Sequence, residues 1–166
     1  EILSYMALTK KHKKSFHVQS MLKVNHLMIF IESIVLFCLP LALTTMTVSP
    51  NRRVIAVAER INDRPHVTIY DLQSGKRRKT LQTESIKSNE VVSLLFSSDS
   101  KYLLTQGGAP DYTLVYWSWE KGKVMASIDI KPPTGPQANS TVNQVSFNPQ
   151  DNTQICAVGH GLFKMF

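Results

Sequence analysis

The sequence predicts an all-β fold that follows a basic and apolar leader, and three observations carry this prediction. From Ser49 onward, short runs rich in β-branched and aromatic residues alternate with segments of Gly, Pro, Asn and Asp, which is typical of strands and turns. No helical periodicity of any length continues past residue 50. A unit of about 47–51 residues also recurs nearly three times along the chain.

Several runs after the leader have the length and composition of strands. They are VIAVA (54–58), HVTIY (66–70), VVSLLF (91–96), KYLLTQ (101–106), TLVYWSW (113–119), KVMASI (123–128), VNQVSF (142–147) and QICAVG (154–159). The segments between them, such as GGAPD (107–111) and NPQDN (148–152), have turn or loop composition. Many short strands with turn signals between them indicate an all-β architecture.

Two separate alignments define the internal repeat. In the first, VVSLLFSS (91–98) aligns with VNQVSFNP, 51 residues later, and with LTTMTVSP, 48 residues earlier. In the second, IYDLQSGK (69–76) aligns with YWSWEKGK, 47 residues later. Each unit reads as four strands joined by turns, and a period of this length with four strands indicates the blade of a β-propeller.

The repeat predicts an incomplete β-propeller of about three four-stranded blades. The units run over about 43–90, 91–141 and 142–166, and the last is truncated. One blade cannot bury both of its faces alone, so neighbouring blades must stack on it. The residues predicted to form the layers between blades are Tyr70, Val91, Leu94, Phe96, Leu103, Trp117, Val142, Val145 and Phe147. A β-sandwich with coincidental internal similarity is the alternative.

Two tryptophans near the end of one predicted strand have different expected roles. Strand alternation places Trp117 and Trp119 on the same face. Packing in the core is the expectation for Trp117. Trp119 lies closer to the strand end and is a candidate for a partner-binding rim, since Trp is enriched at interaction hot spots.

The leader, residues 1–42, contains an apolar segment that resembles a membrane span. Leu27–Val48 is 22 residues long, which is enough to cross a bilayer. The repeat, however, assigns Leu43–Val48 to the first strand of a blade, and Leu27–Ala42 alone has only 16 residues. The segment is open to three interpretations: a signal anchor, a variant N-terminus joined to propeller sequence, or a helix packed on the open blade edge. We predict a helical leader, with membrane contact only through Leu27–Ala42.

Charge and motifs favour a protein-binding function over catalysis or nucleic-acid binding. The net charge is +7, but the basic residues are spread along the sequence, whereas specific nucleic-acid binders show a clustered basic footprint. No nucleophile elbow, zinc-protease helix or phosphate-binding loop is present in the sequence. His66 and His160 lie in or beside strands and are expected to pack or to face solvent. We therefore expect no catalytic, cofactor-binding or metal site.

Several of the turns resemble those of the WD-repeat family. FSSDSKYLL (96–104) and FNPQDN (147–152) resemble the corner between the first two strands of a WD repeat. YDLQSGK (70–76) and YWSWEKGK (116–123) resemble the strand that carries the Trp-Asp pair, followed by its turn. The pair reads Tyr-Asp in one unit and Trp-Ser in the next, and the Gly-His dipeptide of typical repeats is missing from both. The resemblance implies WD-type blades.

A closer resemblance is to cilia- and flagella-associated WD-repeat proteins. The strings SKYLLTQ (100–106), LVYWSWEK (114–121) and FNPQDNTQ (147–154) are similar to theirs, and the similarity runs from about Leu43 to Phe166. It implies a non-enzymatic scaffold of the ciliary or flagellar axoneme, linked to inner dynein arm assembly and ciliary motility. Its implied partners are other axonemal proteins, including dynein-arm components, without a small-molecule substrate.

A different class of function remains open for this sequence. If the leader anchors the chain in a membrane, the β domain would bind proteins outside the cytoplasm. The Asn139-Ser140-Thr141 sequon would then be a glycosylation site.

Overall fold

The computed structural model describes residues 43–110, 112–130 and 142–166, and in these residues every regular element is a β-strand. The predicted leader at 1–42 and the sequon at Asn139 lie outside the described residues. Within the described residues, no helix is long and apolar enough to cross a membrane.

The strands form three antiparallel sheets, in each of which the spatial order follows the chain. The first sheet contains β1 (Leu43–Val48), β2 (Val54–Ile61), β3 (Arg64–Asp71) and β4 (Arg77–Leu81). The second contains β5 (Val91–Phe96), β6 (Tyr102–Gly107), β7 (Thr113–Ser118) and β8 (Lys123–Asp129). The third, in its described part, contains β9 (Val142–Phe147), β10 (Ile155–Gly159) and β11 (Leu162–Met165). The predicted all-β fold with four-stranded repeating units is confirmed.

Three strands were not among the runs identified by composition. The first strand, β1, was recognised only through the repeat. The fourth, β4, has the sequence RRKTL, whose basic residues hide the alternation of a half-buried strand. It forms the outer edge of its sheet, where exposed cations discourage pairing with a second chain. The last strand, β11, spans only four residues, which is short for a compositional signal.

The second sheet is covered on both faces, and this arrangement creates two apolar layers. The layer between the first and second sheets contains Val54, Ala56, Ala58, Val67, Ile69, Leu81, Ile86, Val91, Leu94, Phe96, Leu103, Val115, Trp117 and Trp119. The layer between the second and third sheets contains Leu104, Leu114, Ile130, Val142, Val145, Ala157 and Leu162. Neighbouring residues on β6 therefore serve opposite layers, as strand alternation requires.

The residues predicted for the layers between blades are buried to different degrees. Most of them lie in one of the two layers with less than a tenth of their surface exposed: Val91, Leu94, Phe96, Leu103, Trp117, Val142 and Val145. Phe147 is only half-buried and packs against the edge of the second layer. Tyr70 is also half-buried and belongs to neither layer; its register partner Ile55 lies outside both layers as well, although Ile55 is fully buried.

A side-chain hydrogen bond joins the first strands of the first two sheets. The Thr44 hydroxyl of β1 donates to the main-chain carbonyl of Val91 on β5 at 2.7 Å. Apolar packing is tolerant of small sliding movements, whereas a hydrogen bond is directional. This bond therefore helps to set the offset between the two stacked sheets.

Replacing a residue of the first layer should destabilise the whole stack. Leu103 is 0% exposed between two sheets, so Leu103→Ala leaves a cavity that neither sheet can fill by itself. We expect the free energy of unfolding to fall by about 2–5 kcal/mol, measured by urea denaturation with tryptophan fluorescence. Met125→Ala on β8, where Met125 is 52% exposed, is the matched control and should change it by less than about 0.5 kcal/mol. Equal losses in the two variants would contradict the stacked arrangement.

Candidate protein-interaction surfaces

Alternate turns of all three sheets meet at one end of the strands, which we call the turn end. Its turns comprise residues 49–53, 72–76, 97–101, 119–122 and 148–154. Two hydrogen bonds show that the turns are neighbours. The amide of Asn51 donates to the hydroxyl of Ser100 at 3.1 Å, and the hydroxyl of Ser98 donates to Oδ1 of Asn152 at 2.8 Å. The turn end is thus a continuous surface formed by three sheets.

A repeated serine holds the first turn of each four-stranded sheet. The Ser49 hydroxyl accepts from the amide of Val54 at 3.1 Å, and the Ser97 hydroxyl accepts from the amide of Tyr102 at 3.0 Å. Both serines are buried, since each closes a five-residue turn from the inside. This hydrogen bond explains why the strand-to-turn corner of the sequence repeat begins with Ser in these two units.

Short polar side chains cap the remaining amides of these turns. Oδ1 of Asp99 accepts from the Ser97 hydroxyl at 2.6 Å and from the Lys101 amide at 3.0 Å. In the third sheet, Oδ1 of Asp151 accepts from the hydroxyl and the amide of Thr153, and these bonds, the hydroxyl first, lower the pKa of the Asp151 carboxyl. Such local bonds hold turn backbone in one conformation. The turn end therefore presents an ordered surface.

Asp71, at the position of the Asp in a Trp-Asp pair, organises the turn between β3 and β4. Its Oδ1 accepts from the amides of Gln73 and Ser74 at 3.0 and 2.8 Å and from the Ser74 hydroxyl at 3.0 Å. Oδ2 lies 3.3 Å from Nε of Arg78. The bonds from Ser74 are the main cause of a lowered pKa at this carboxyl, with smaller contributions from Gln73 and Arg78.

The indole of Trp117 is buried and hydrogen-bonded. Its Nε1–H donates to the hydroxyl oxygen of Thr105 at 3.0 Å, from the neighbouring strand. Both side chains are at most 2% exposed, so neither group has water available as a replacement partner. The expectation that Trp117 packs in the core agrees with this burial, but strand composition gave no sign of the Thr105 acceptor.

Trp119 does not lie on an exposed rim, and the structure corrects that expectation. It is 4% exposed, its indole N–H donates to the carbonyl of Ser100 at 2.8 Å, and its ring meets Phe96 edge-on with centroids 6.1 Å apart. The strand ends at Ser118, so the turn carries Trp119 inward over the first layer. Sequence position near a strand end could not reveal this, because the acceptor belongs to another turn.

Tyr116 connects the second sheet to the turn end of the third. Its ring stacks on Tyr102 at 5.0 Å between centroids and lies 6.1 Å from the ring of Phe147. Its hydroxyl donates to the carbonyl of Asn152 at 3.3 Å. Burial, with contributions from Tyr102, Asp99 and Asp151, raises the pKa of Tyr116 to about 12. Tyr116 is therefore a neutral hydrogen-bond donor at physiological pH.

A groove of about 600 Å³ lies at the opposite end of the first sheet. It is lined by the β2–β3 hairpin and by the connection from β4 to β5, and its charged residues are Asp63, Arg64, Glu84 and Lys87. His66 also lines it, with Nδ1 3.0 Å from the carbonyl oxygen of Arg64. The lining is mixed in charge and does not favour one class of small molecule. In the described part of the chain, no group of three His, Cys, Asp or Glu side chains could hold a metal ion.

Comparison with curated proteins identifies ciliary relatives. The chain is 45% identical to cilia- and flagella-associated protein 57 of Mus musculus over 122 residues, which cover 72% of this chain and 9% of the relative. It is 29% identical to cilia- and flagella-associated protein 57 C of Tetrahymena thermophila over 133 residues, which cover 75% of this chain and 10% of that relative. The chain thus spans about a tenth of the length of these relatives. No protein-family model matches it.

Comparison with solved structures identifies the fold. The β-propeller domain of Cps50 (Swd1) from Myceliophteria thermophila matches with a TM-score of 0.56 and 18% identity, over 71% of this chain and 31% of that domain. The WD40 repeats of RRP9 match with a TM-score of 0.56 and 19% identity, over 76% of this chain and 35% of that structure. At such low identity, these matches show the WD40 β-propeller fold alone.

The bond between Trp117 and Thr105 can be measured by a double-mutant cycle. Thr105→Val keeps the shape of the side chain but leaves the buried indole N–H without an acceptor, so we expect a loss of about 1–3 kcal/mol in unfolding free energy. Trp117→Phe removes the donor. Urea denaturation of both single variants and the double variant should give a coupling energy of about 1 kcal/mol. Additive effects would show that the bond contributes nothing.

The lowered pKa of Asp71 predicts a loss of stability in acid. Its carboxylate is bound in the folded state, so its contribution is complete above the ordinary pKa of 3.8 and is lost as the pH falls through the lower folded-state value. Between about pH 5 and pH 2, the urea midpoint of Asp71→Asn should therefore fall less steeply than that of the unmodified chain. Gln73→Ala keeps the carboxylate and should follow the unmodified chain. An equally steep fall in Asp71→Asn would rule out this contribution.

Proposed function

Because this chain is a homologue of cilia- and flagella-associated protein 57 with blades of the WD40 fold, we propose that it acts as a non-enzymatic WD-repeat scaffold of the cilium or flagellum. The observation that carries this proposal is the 45% identity to the mouse relative, which extends over most of the described blades. In this role the blades hold other proteins in position and perform no chemistry.

The structure of the blades supports a scaffold role. The second sheet uses both of its faces for packing, so its strand ends and turns are the surfaces that remain for a partner. The turn end is held by hydrogen bonds between sheets, such as the one from Asn51 to Ser100. A surface that is already ordered before binding loses little conformational entropy when a partner docks.

The finer proposal places this scaffold on the axoneme, with inner dynein arms as the assembly that it supports. The names of the relatives refer to cilia and flagella, and the step to the axoneme and to dynein-arm components goes beyond those names. A scaffold with large partners is expected to remain with the microtubule structure when the ciliary membrane is dissolved. A membrane-anchored protein would instead be released with the detergent-soluble fraction.

Detergent fractionation of isolated cilia tests this proposal. The full chain, expressed with a small epitope tag in ciliated cells, should enter the cilium and remain with the axoneme after non-ionic detergent extraction. The tag attached to an unrelated globular protein is the control. Exclusion from the cilium, or complete release with membrane proteins, would overturn the proposal. Loss of inner dynein arm density from axonemes of cells lacking the protein is the expected second result.

The same cells test the membrane-anchored alternative. A glycan is attached at a sequon only if the segment passes through the secretory lumen. We expect no change in electrophoretic mobility between the unmodified chain and Asn139→Gln, with or without glycosidase treatment. A glycan at Asn139 would contradict the scaffold and favour the extracytoplasmic binding domain.

A further inference from the structure

The basic residues of the described blades are concentrated at the turn end. Nine Lys and Arg side chains belong to its turns or to the first residues of the strands that leave them: Arg52, Arg53, Lys76, Arg77, Arg78, Lys79, Lys101, Lys121 and Lys123. The acidic residues there are Asp71, Asp99, Glu120 and Asp151. The turn end therefore carries a formal excess of five positive charges. The basic residues are spread along the sequence but are not spread in space.

The opposite end of the same strands has the reverse balance. Its described basic residues are Arg60, Arg64 and Lys87, and its described acidic residues are Glu59, Asp63, Glu84, Glu90 and Asp129. The blades are therefore electrostatically polar along the strand direction. A charge distribution of this kind orients an approaching charged partner toward one end.

Side chains from the first sheet reach the turns of the second, so the basic surface is continuous across both. A side-chain carbon placed on Gly122 would lie 2.6 Å from Cε of Lys79, which shows that the β4 lysine extends over the β7–β8 turn. Lys121 and Lys123, on either side of Gly122, are exposed. Cations from two sheets thus occupy the same part of the surface.

The carboxylates at this end are largely occupied by the protein itself. Asp71, Asp99 and Asp151 cap turn amides, and the first two also lie near cations, at 3.3 Å from Arg78 and 3.8 Å from Lys101. Their lone pairs therefore serve the turns. Arg52, Arg77 and Lys121 are among the exposed cations of the turn end.

We propose that the turn end binds an acidic segment of a partner protein, one that carries several closely spaced Asp or Glu side chains. The proposal rests on the scaffold function proposed above and identifies the kind of partner. A nucleic acid is the less suitable ligand, because every nucleotide carries a phosphate and some of these charges would lie opposite the carboxylates of Asp71 and Asp99. An acidic segment of a protein can place neutral residues opposite those two carboxylates. The side chains of an acidic peptide can contact separate cations individually.

Charge neutralisation at the two ends provides a matched test. One variant carries Arg52→Gln, Arg77→Gln and Lys121→Gln at the turn end. The control carries Arg60→Gln, Arg64→Gln and Lys87→Gln, the three exposed cations of the opposite end in the described residues. Both variants lose the same net charge, so any difference between them reports position. Circular dichroism and urea denaturation establish that both fold like the unmodified chain.

Binding is measured by fluorescence anisotropy with a fluorescein-labelled peptide of twelve glutamates, at low and at physiological salt. We expect the turn-end variant to bind the peptide about tenfold more weakly than the unmodified chain, and the affinity of the control to change by less than about twofold. Physiological salt should lower the affinity of the unmodified chain toward that of the turn-end variant. Equal weakening of the two variants would overturn the proposal, since binding would then follow net charge alone. Tighter binding of a labelled DNA or RNA duplex than of the peptide would also overturn it, in favour of a nucleic-acid ligand.

Ciliary targeting of the same variants separates this inference from the proposed function. If the turn-end variant still enters the cilium and fails to bind the glutamate peptide, both proposals stand. If the unmodified chain binds the peptide but does not enter the cilium, only the scaffold function fails. If the unmodified chain enters the cilium but does not bind the peptide, only the proposal of an acidic partner fails.

Discussion

The structure depends on one constraint: a four-stranded sheet with apolar residues on both faces must be covered on both sides. The second sheet meets this requirement, because Leu103 and Val115 face the first sheet while Leu104 and Leu114 face the third. Each strand therefore supplies alternate residues to two separate layers. A repeated unit is necessary for this packing, since each sheet provides the cover that its neighbour needs.

Polar bonds at the turn end give the stack a definite geometry that apolar layers alone would not. The hydroxyl of Ser100 in the second sheet accepts from the amide of Asn51 in the first sheet, while the carbonyl of Ser100 is held by Trp119 within the second sheet. Asn152 accepts from Ser98 and from Tyr116 in a similar way between the second and third sheets. Because hydrogen bonds are directional, these contacts fix the relative rotation of the sheets as well as their separation.

The sequence could predict the blades but not the surface that they form. The strands and their spacing could be predicted because patterns like VVSLLFSS and YWSWEKGK recur along the chain. Repeated units that pack on one another need similar residues at similar positions. The inward position of Trp119 and the partner of Trp117 depend on residues contributed by other segments, Ser100 and Thr105. The convergence of basic residues was also hidden, because it appears only when alternate turns are brought to one end.

The residues that pack the sheets together and the residues proposed to contact a partner lie in different parts of the fold. Both faces of the second sheet are covered, because Leu103, Trp117 and the other residues of the two layers pack against neighbouring sheets. A partner that bound to either face would have to displace a packed sheet. In the turns, Trp119 and the bonds of Asn51 and Ser98 serve the stack, whereas the exposed cationic side chains do not. Once Ser97 and Asp99 have satisfied the turn backbone, side chains such as Lys101 and Lys121 are free to vary without disturbing either layer. In the proposed scaffold function, specificity would therefore reside in the turns, and the strands determine where each turn is placed.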